Sequence, residues 1–527
     1  MPIANSLTLG DVSREHRRSR PGFPAVVDVD VRLTYREFDI RVNQLVSALT
    51  EQGLTPGDVI VWFGQNSFRL LELLVAAAKA GWIVVPVNWR ESATRLTAVV
   101  EQCAPRVVVW QETEIGALAS EVRSATAPDI RWVCHDREGA DSYETLLASG
   151  TDVDDGAVRD MSEHVLAIYT AGSDDNGPAA ALIDHLAILV ENLTIARISE
   201  LSDSTVFLNS GPLFHLGTLV STLATFHLGG KNVFVRRVDP AELCRVIDME
   251  RCNRAFLMAP TVAEIREIAS RTAVDLSCLW PRSAQGEWST ITPSLNPTTH
   301  RSGSYGQTEV MGLATFGGLG EVAISPFGRP LPTVQIVVLR PDGTEADIGE
   351  TGELAFRGPT VSRRFLGRDE LIERREFDGW LMSGDLGLRE SDGSIRFVAP
   401  KGRLIKSASE NIHPAEVERC LAAHPAIADV CVIGVPDRDW GQSVKALVVV
   451  EPGETVDADE VIGFCRRNLA SYKKPRFVQF VDAIPRTGPG QIDRAAADAL
   501  GGGGGYPGEI SGSARRLAPA GRSESRG

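Results

Sequence analysis

Short apolar segments alternate with longer segments of helical periodicity through the first half of the sequence. The stretch from Thr34 shows the pattern: Thr34 and Glu37 form a capping box, apolar residues then recur every three or four positions, and Gly53 ends the run. The apolar run at residues 59–63 follows as a strand, and a second helical pattern covers residues 69–80. Strands and helices that alternate at this spacing predict βαβ units, in which helices cover both faces of a parallel sheet.

The pattern of apolar residues changes twice after this region. Apolar alternation around a Pro-Asp-Gly turn predicts a smaller, largely antiparallel sheet over residues 334–361. A compact α+β pattern begins near Pro400 and runs to residue 499, and the glycine tract 501–505 with the residues up to 527 predicts a disordered tail. Because 527 residues exceed what one hydrophobic core usually serves, two or three domains are expected.

Composition excludes several classes of function. The formal net charge of −15 argues against a nucleic-acid-binding protein, since phosphate contacts need a basic surface. No apolar run reaches the roughly 18 to 20 residues that cross a bilayer, so membrane insertion is not expected. The N-terminal segment lacks the apolar core of a secretion signal, which favours a cytoplasmic protein. The eight cysteines form no C-x-x-C pair and predict reduced, mostly interior thiols.

The segment Tyr305-Gly306-Gln307-Thr308-Glu309 combines an aromatic face, a glycine, a hydroxyl and a carboxylate within five positions. These groups suit a nucleotide and its metal ion, because the ring can stack and the carboxylate can bind a hard cation. The same composition also occurs in turns whose threonine and glutamate only cap the following segment. The segment alone therefore leaves both interpretations open.

Four further motifs accompany this segment in the sequence. In chain order the five are Ile168-Tyr169-Thr170-Ala171-Gly172-Ser173, Pro212-Leu213-Phe214-His215, Tyr305 to Glu309, Gly379-Trp380-Leu381-Met382-Ser383-Gly384-Asp385-Leu386, and residues 405–418. Together they resemble the superfamily of adenylate-forming enzymes that contains acyl-CoA synthetases, the adenylation domains of peptide synthetases, and luciferases. The acyl- and aryl-CoA ligases are the most similar group, and the similarity covers about residues 30 to 495.

This resemblance implies an α/β fold: a large N-terminal domain of two doubly wound sheets and a small β-barrel, then a smaller, mobile α+β C-terminal domain. The corresponding boundaries are residues 1–399 for the N-terminal domain, 400–403 for a hinge, 404–500 for the C-terminal domain and 501–527 for the tail. The implied reaction couples ATP and a carboxylate into an acyl-adenylate with release of pyrophosphate, and then passes the acyl group to a thiol. The implied cofactors are ATP and Mg²⁺, with coenzyme A as a further possibility. The partner is a small-molecule acid or aromatic substrate, and no motif specifies an oligomeric state.

Matching positions carry the expected roles. Tyr305 would lie against adenine, Asp385 would accept hydrogen bonds from the ribose hydroxyls, and Glu309 would bind Mg²⁺. The resemblance assigns catalytic roles to Thr308, Glu309, His215, Gln491 and Lys406, and nucleotide binding to Thr170, Gly172, Ser173, Tyr305, Gly306, Gln307, Asp385 and Arg403.

Three of these residues also have a purely structural interpretation. His215 follows an apolar run and could be an interior histidine rather than a residue of the substrate tunnel. Asp385 could be a turn residue, and Tyr305 could belong to the core.

Two expected lysines are absent. The family's phosphate loop ends in Pro-Lys-Gly, whereas Ala179 follows Pro178 here, and Asp174 and Asp175 add two negative charges to the loop. Gln491 stands where the family has a lysine that bridges the carboxylate and the α-phosphate. Loss of one preorganised charged donor slows such a step by roughly 100- to 1000-fold, so ordinary carboxylate adenylation is expected to be slow.

The hinge region departs from the family as well. When the sequence is aligned with the family pattern without gaps, Pro400 stands at the position of the ribose-binding arginine and Arg403 at that of the hinge residue. A local shift of the alignment would instead make Arg403 the ribose ligand. Ala408 and Ser409 replace a glycine pair beside the pantetheine arm, where an added Cβ would narrow the thiol tunnel.

Three hypotheses follow from these patterns. In the first, the protein is a carboxylate-activating relative of acyl- and aryl-CoA ligases, and its lost lysines are compensated by Arg486, Arg494, Lys473, Lys474 or Lys406. In the second, it is an adenylate-forming enzyme that uses another acceptor or activates a different small oxyanion, as ATP-dependent diazo-forming enzymes use nitrite with an aromatic amine. In the third, it is a non-catalytic relative that binds a nucleotide or an acyl group.

Overall fold

The computed structural model describes residues 6–29, 31–170, 179–257, 259–279, 304–317, 324–368, 370–401, 404–408, 410–488 and 491–506. They form two compact units: the first comprises residues up to 383 together with 387–396, and the second comprises residues 384–386 and those from 397 onward. The predicted hinge, residues 400–403, begins at the last residue of a strand, and residues 402 and 403 lie outside the described residues.

The first part of unit 1 alternates strands and helices. Its elements are α1 (Leu9–Ser19), β1 (Pro24–Asp28), β2 (Val31–Thr34), α2 (Tyr35–Glu51), β3 (Val59–Phe63), α3 (Phe68–Ala80), β4 (Ile83–Pro86), α4 (Ala93–Cys103), β5 (Val107–Trp110), α5 (Gly116–Ala125), β6 (Arg131–Cys134), α6 (Tyr143–Ser149), β7 (His164–Tyr169), β8 (Ala180–Asp184), α7 (His185–Ile198), β9 (Val206–Asn209), α8 (Leu216–Leu228), β10 (Lys231–Phe234), α9 (Pro240–Glu250), β11 (Arg254–Ala255) and α10 (Ala259–Arg271).

Shorter strands and one helix follow. They are β12 (Ser304–Gln307), β13 (Gly312–Phe316), β14 (Arg329–Pro330), β15 (Gln335–Leu339), β16 (Gly352–Arg357), α11 (Glu370–Arg375), β17 (Glu376–Phe377), β18 (Trp380–Arg389) and β19 (Ile395–Pro400). The elements of unit 2 are β20 (Ile405–Ser407), β21 (Glu410–Ile412), α12 (Pro414–Ala422), β22 (Ile427–Asp437), β23 (Gly441–Val450), α13 (Ala458–Asn468), β24 (Phe477–Phe480), β25 (Arg486–Gly488), β26 (Gln491–Ile492) and α14 (Arg494–Gly501).

Two predominantly parallel sheets form the body of unit 1. One has six strands in the order β6-β5-β3-β4-β7-β8, with β8 antiparallel to β7. The other has five strands in the order β11-β9-β10-β1-β2, with β2 antiparallel to β1. Because non-consecutive parallel strands are joined through helices, this topology confirms the α/β class predicted from the alternating pattern.

Local sequence explains why these elements form. The Thr34 hydroxyl accepts a hydrogen bond from the Glu37 backbone, and the Glu37 carboxylate accepts one from the Thr34 backbone, so the predicted capping box begins α2. The apolar stripe of α2 is buried, and every residue of β3 is buried as well. Burial of a central parallel strand on both faces requires the continuous apolar run seen in β3.

Antiparallel strands occupy the predicted smaller region of unit 1. β12, β13 and β14 form a three-stranded sheet, and β15, β16, β18 and β17 form a second sheet in which β19 also pairs with β18. β12 carries the segment that begins at Tyr305, and β18 carries the segment up to Asp385. The two sheets therefore position two of the sequence motifs.

Unit 2 is an α+β fold around a mixed sheet. The strand order is β21-β20-β23-β22, and β24 pairs in parallel with β23. α12 and α13 contribute Val417, Leu421, Val461 and Cys465 to its core, all fully buried. This architecture agrees with the predicted α+β pattern.

The glycine tract 501–505 is folded, which differs from the tail predicted from its composition. The Gly504 backbone N–H donates to the Gly434 oxygen at 3.0 Å, and the Tyr506 hydroxyl accepts from the Gly434 N–H at 2.8 Å. Tyr506 is buried in the core of unit 2 because its ring offers apolar area that the glycines lack. Residues 507–527 lie outside the described residues. Nowhere in the described part of the chain is there a helix with the length and apolar character needed to cross a membrane.

Candidate active site

A buried ion pair lies at the end of β12. Glu309 belongs to a 3₁₀ turn, Thr308–Val310, and the Nη1 of Arg375 donates to Glu309 Oε1 at 2.6 Å. Only 7% of the Glu309 side chain and 14% of the Arg375 side chain are exposed. The hydrogen bond that the described residues donate to the Glu309 side chain goes to Oε1 and not to Oε2. One carboxylate oxygen is therefore held by a guanidinium, and the other is left for a second positive group.

The carbonyl groups of β18 fix the guanidinium of Arg375. Its Nε donates to the Met382 oxygen at 3.2 Å, and its Nη2 donates to the Met382 oxygen at 3.1 Å and to the Ser383 oxygen at 3.3 Å. The guanidinium also lies 5.8 Å from the ring centroid of Phe365. Because all three nitrogens of the planar guanidinium are hydrogen-bonded, its charge is fixed in position before any ligand binds.

Tyr305 and Gln307 extend this network. The Gln307 Nε2 donates to the Tyr305 hydroxyl at 3.1 Å and to the Ser383 oxygen at 3.1 Å. The Tyr305 ring is buried and lies 6.1 Å from the Phe356 ring, with an angle of 27° between the planes. The structure thus brings Tyr305, Gln307 and Glu309 together through Ser383 and Arg375. Contact of Tyr305 with adenine stays a prediction.

Gly306 is required by the contact between two strands. A Cβ at this position would lie 1.8 Å from the Gly312 oxygen, which is far inside any possible contact. The register of β12 and β13 shifts between Tyr305 and Gly306, so the backbones approach closely there. This glycine therefore lies at a strand irregularity and not in a tight turn, and its direct binding of nucleotide is untested.

The predicted phosphate loop begins and ends within the described residues. The Thr170 backbone N–H donates to the Ala179 oxygen at 2.8 Å, and the buried Thr170 hydroxyl has no hydrogen-bond partner in the part of the chain that the structure describes. A buried hydroxyl without a partner is costly unless a ligand or water satisfies it, which fits a phosphate oxygen. Gly172, Ser173, Asp174 and Asp175 lie outside the described residues.

Ala179 occupies an apolar position. It is fully buried in a cluster with Ala181, Phe365 and Leu371. Phe365 is also the residue whose ring faces Arg375. The side chain expected to be a lysine is thus a core alanine, and its neighbour Phe365 also contacts the Arg375 guanidinium.

Residues 362–366 connect Glu309 to β8. The Ser362 N–H donates to the Glu309 backbone oxygen at 2.7 Å, and the Ser362 hydroxyl donates to the Leu182 oxygen at 2.9 Å. The Leu366 N–H donates to the Ala180 oxygen at 2.8 Å. These bonds join the turn that carries Glu309 to the strand that starts directly after Ala179.

Glu191 is a second buried carboxyl close to this region. It lies on α7, is fully buried, and its Oε1 accepts a long hydrogen bond of 3.4 Å from the Leu313 N–H on β13. Its Oε2 has no partner among the described residues. Burial raises the pKa of Glu191 to about 8, and the single hydrogen bond from Leu313 opposes this rise only in part.

Glu191 is therefore expected to make stability depend on pH. Its folded pKa lies above the value of about 4.3 in an unfolded chain, so its stabilising contribution is complete below that pH and is lost as pH rises through 8. Each unit of difference corresponds to about 1.4 kcal/mol, so the loss amounts to several kcal/mol. Glu191→Gln should remove this loss, and denaturant unfolding of both proteins between pH 5 and pH 8.5 measures it. Parallel stability curves for the two proteins would contradict the assignment.

His215 is the residue before α8. Its ring centroid lies 4.5 Å from that of Phe214, and its backbone oxygen accepts a hydrogen bond from the Thr218 hydroxyl at 2.9 Å. It makes no side-chain cap for α8. These contacts position the imidazole at the start of a largely buried helix, and its predicted place in a substrate tunnel is untested.

Unit 2 carries Asp385 and Lys406. The pKa of Lys406 is lowered from its ordinary value because protein displaces water around its side chain, while the charges of Glu410 and Asp385 act in the opposite direction. Lys406 as a residue is exposed, so this lowering is limited. Ala408 has a φ of 52°, the left-handed conformation that glycine adopts more readily, so its backbone has a glycine-like conformation despite the added Cβ. Arg403 and the side chain of Gln491 lie outside the described residues.

Four of the five basic residues considered as substitutes for the lost lysines have partners within unit 2. Arg494 pairs with both oxygens of Glu418, and Arg486 pairs with Asp429 at 2.6 Å. Lys473 lies 3.1 Å from Glu416, and Lys474 donates to the Ser471 oxygen. Each of these cations already has an acidic or carbonyl partner, which leaves less charge to offer to a ligand.

The residues present fit a Mg²⁺ ion that is shared with phosphates. Among the described residues no group of three or more His, Cys, Asp or Glu side chains could hold a metal alone. Mg²⁺ is commonly held by one or two carboxylates together with substrate phosphates. Glu309, with one oxygen outside the Arg375 pair, meets that requirement.

The sequence did not indicate Arg375 as part of this site. It lies 66 positions from Glu309, within Glu-Arg-Arg-Glu, a composition typical of an exposed helix end. The only available signal was indirect: a triphosphate site without its two lysines needs another cation, and Arg375 is four positions before the motif that starts at Gly379.

The two-unit α/β fold and the buried Glu309 carboxylate agree with an enzyme of the adenylate-forming type, and comparison with known proteins establishes this class. Residues 13–366 match the model of the AMP-binding enzyme family, and residues 416–491 match that of the AMP-binding enzyme C-terminal domain. The protein belongs to the AMP-binding enzyme family, and it is an ATP-dependent ligase.

Known proteins resemble the chain over nearly its whole length. An indoleacetate–CoA ligase from Aromatoleum aromaticum is 31% identical over 490 residues, which cover 90% of this chain and 95% of that protein. A feruloyl-CoA synthase from an Amycolatopsis species is 29% identical over 492 residues, which cover 92% and 97%. The solved structure of an amide bond synthetase from Marinactinospora thermotolerans superposes with a TM-score of 0.79 at 21% identity, covering 94% of this chain and 99% of that one. This structural likeness establishes the fold.

Proposed function

We propose that the protein activates an aromatic carboxylic acid with ATP and transfers the acyl group to coenzyme A. The observation that carries this proposal is the buried Glu309 carboxylate, which Arg375 holds through one oxygen while the other has no donor among the described residues. A carboxylate fixed in this way can bind the metal of a metal–ATP complex without reorganising. The resemblance to ligases of indoleacetate and ferulate supports an aromatic acid as the substrate.

Two steps make up the proposed reaction. The substrate carboxylate oxygen attacks the α-phosphorus of ATP and pyrophosphate leaves, which forms an acyl-adenylate. The thiolate of coenzyme A then attacks the acyl carbon, and AMP leaves as the thioester forms. Mg²⁺ would neutralise charge on the phosphate oxygens.

The residues of this chain would bind and orient the nucleotide. The Thr170 hydroxyl would donate to a phosphate oxygen, since it is buried without a partner among the described residues. Tyr305 would contact adenine, and Asp385 would accept hydrogen bonds from the ribose hydroxyls. His215 would line the acyl site at the start of α8. Thr308 would lie near the phosphates, next to the ion-paired Glu309.

A pyrophosphate-release assay tests the proposal. Indole-3-acetate, ferulate, benzoate and octanoate are each supplied with ATP, Mg²⁺ and coenzyme A, and thioester is detected in the same samples. We expect pyrophosphate and thioester with at least one aromatic acid, and less of both with octanoate. Release that requires nitrite and an aminobenzoate and yields no thioester would replace coenzyme A ligation with diazo formation. ATP binding without release under any condition would contradict catalysis.

A further inference from the structure

The nucleotide site needs positive charge that its own loop lacks. Residues 170–180 contain no lysine or arginine and two aspartates, in a chain of net charge −15. A triphosphate in such surroundings must be neutralised by local cations, because like charges at short range oppose binding. The neutralising charge must therefore come from basic residues outside residues 170–180.

Among the described residues, Arg375 is the cation that pairs with Glu309, the predicted metal ligand. Its guanidinium pairs with Glu309 at 2.6 Å, and it faces the ring of Phe365, which packs in the same cluster as Ala179. Residues 362–366, which include Phe365, also bond to the Glu309 backbone and to β8. Arg375 thus contacts the predicted metal ligand directly and shares the neighbour Phe365 with Ala179, at the end of the predicted phosphate loop.

The geometry of Arg375 allows its guanidinium to bind the Glu309 carboxylate and a phosphate at the same time. Its three nitrogens are held by Glu309 and by the oxygens of Met382 and Ser383, which fixes its orientation before any ligand arrives. A guanidinium has five N–H donors in one plane, so it can contact a phosphate while it keeps the carboxylate. A buried arginine paired with one carboxylate also costs desolvation that a second negative group would help to offset.

We infer that Arg375 is a nucleotide-binding residue that supplies, from the end of α11, the positive charge missing from residues 170–180. The inference rests on the proposed function, since it assumes that ATP binds beside Glu309. It assigns two tasks to one side chain: to orient the Glu309 carboxylate and to attract the phosphates of ATP.

Two substitutions separate charge from hydrogen bonding. Arg375→Lys keeps the charge and loses the planar fork, whereas Arg375→Gln keeps a hydrogen-bond donor and loses the charge. Arg357→Ala is the matched control. Arg357 donates to Gln335 and lies 4.4 Å from the Trp380 ring, and it forms no salt bridge with a carboxylate among the described residues. Calorimetric titration with ATP, in Mg²⁺ and separately in excess EDTA, measures binding without relying on turnover, and thermal unfolding without ligand reports folding.

We expect Arg375→Gln to weaken ATP binding by about 10- to 100-fold in both conditions, as for loss of one charge-assisted interaction, and Arg375→Lys to weaken it less. Arg357→Ala should leave the affinity unchanged. Equal affinity for the folded glutamine variant and the unsubstituted protein, or tighter binding of ATP with Mg²⁺ once the charge is removed, would overturn the inference. Failure of the unsubstituted protein to bind ATP would instead overturn the proposed function and the inference with it.

Discussion

Replacement of Glu309 by glutamine is expected to reduce ATP-dependent pyrophosphate release by about 100- to 1000-fold, the range found when one preorganised electrostatic group is removed. Glutamine keeps the shape and one oxygen of the side chain, but it cannot neutralise Arg375 or offer a charged oxygen to Mg²⁺. Since the native pair is buried, the neutral variant leaves an uncompensated guanidinium. Release rates at several Mg²⁺ concentrations would show both a lower maximum and a higher Mg²⁺ requirement.

The matched control for this experiment is Glu373→Gln. Glu373 is an exposed carboxylate on α11, one turn or less from Arg375, and no described residue forms a salt bridge with it. The Glu373→Gln variant should retain full activity and an unchanged Mg²⁺ requirement. Turnover of the Glu309 variant at the rate of the unsubstituted protein would refute the placement of the metal.

A lysine at position 491 is expected to raise the rate of acyl-adenylate formation by up to about 100-fold. The resemblance assigns to this position a lysine that supplies a charged donor to the oxyanion developing in this step. Gln491 opens β26, which pairs with β25 near the end of unit 2. Trapping of the activated acid with hydroxylamine, together with pyrophosphate release, measures the adenylation step apart from thioester formation.

Gln479→Lys supplies the same change of charge elsewhere in unit 2, on β24, and should leave the rate unaltered. A rise in both variants would point to net charge rather than to position 491. No change, or a loss, in Gln491→Lys alone would mean that the glutamine suits an acid or oxyanion other than an ordinary carboxylate. Nitrite would then be the first alternative to test.

Periodicity predicted much of the fold because its causes are local. The capping box of Thr34 and Glu37 and the apolar run of β3 each depend on residues within a few positions of one another. The α/β class and the α+β character of unit 2 followed from repetition of such segments. The order of strands in each sheet did not, because it depends on packing between distant segments.

The sequence indicated only one member of the Glu309–Arg375 ion pair, and this has a physical reason. The motif that contains Glu309 was recognisable, but its partner Arg375 is 66 positions away and belongs to no motif. The role of Gly306 depends on a close approach to Gly312 that no single-strand pattern records. The sequence of one element does not determine which residues of a distant element it contacts.

The buried Tyr506 has a practical consequence for anyone who shortens or fuses the chain. Composition suggests a cut at Gly501, yet such a cut would remove the ring that fills part of the unit 2 core and the hydroxyl that donates to Asp498 at 2.9 Å. It would also free the Gln442 amide, which donates to the Gly504 oxygen. A reporter or affinity tag is therefore better attached after residue 506, because the hydrogen bond between Gly504 and Gly434 of β22 is then kept.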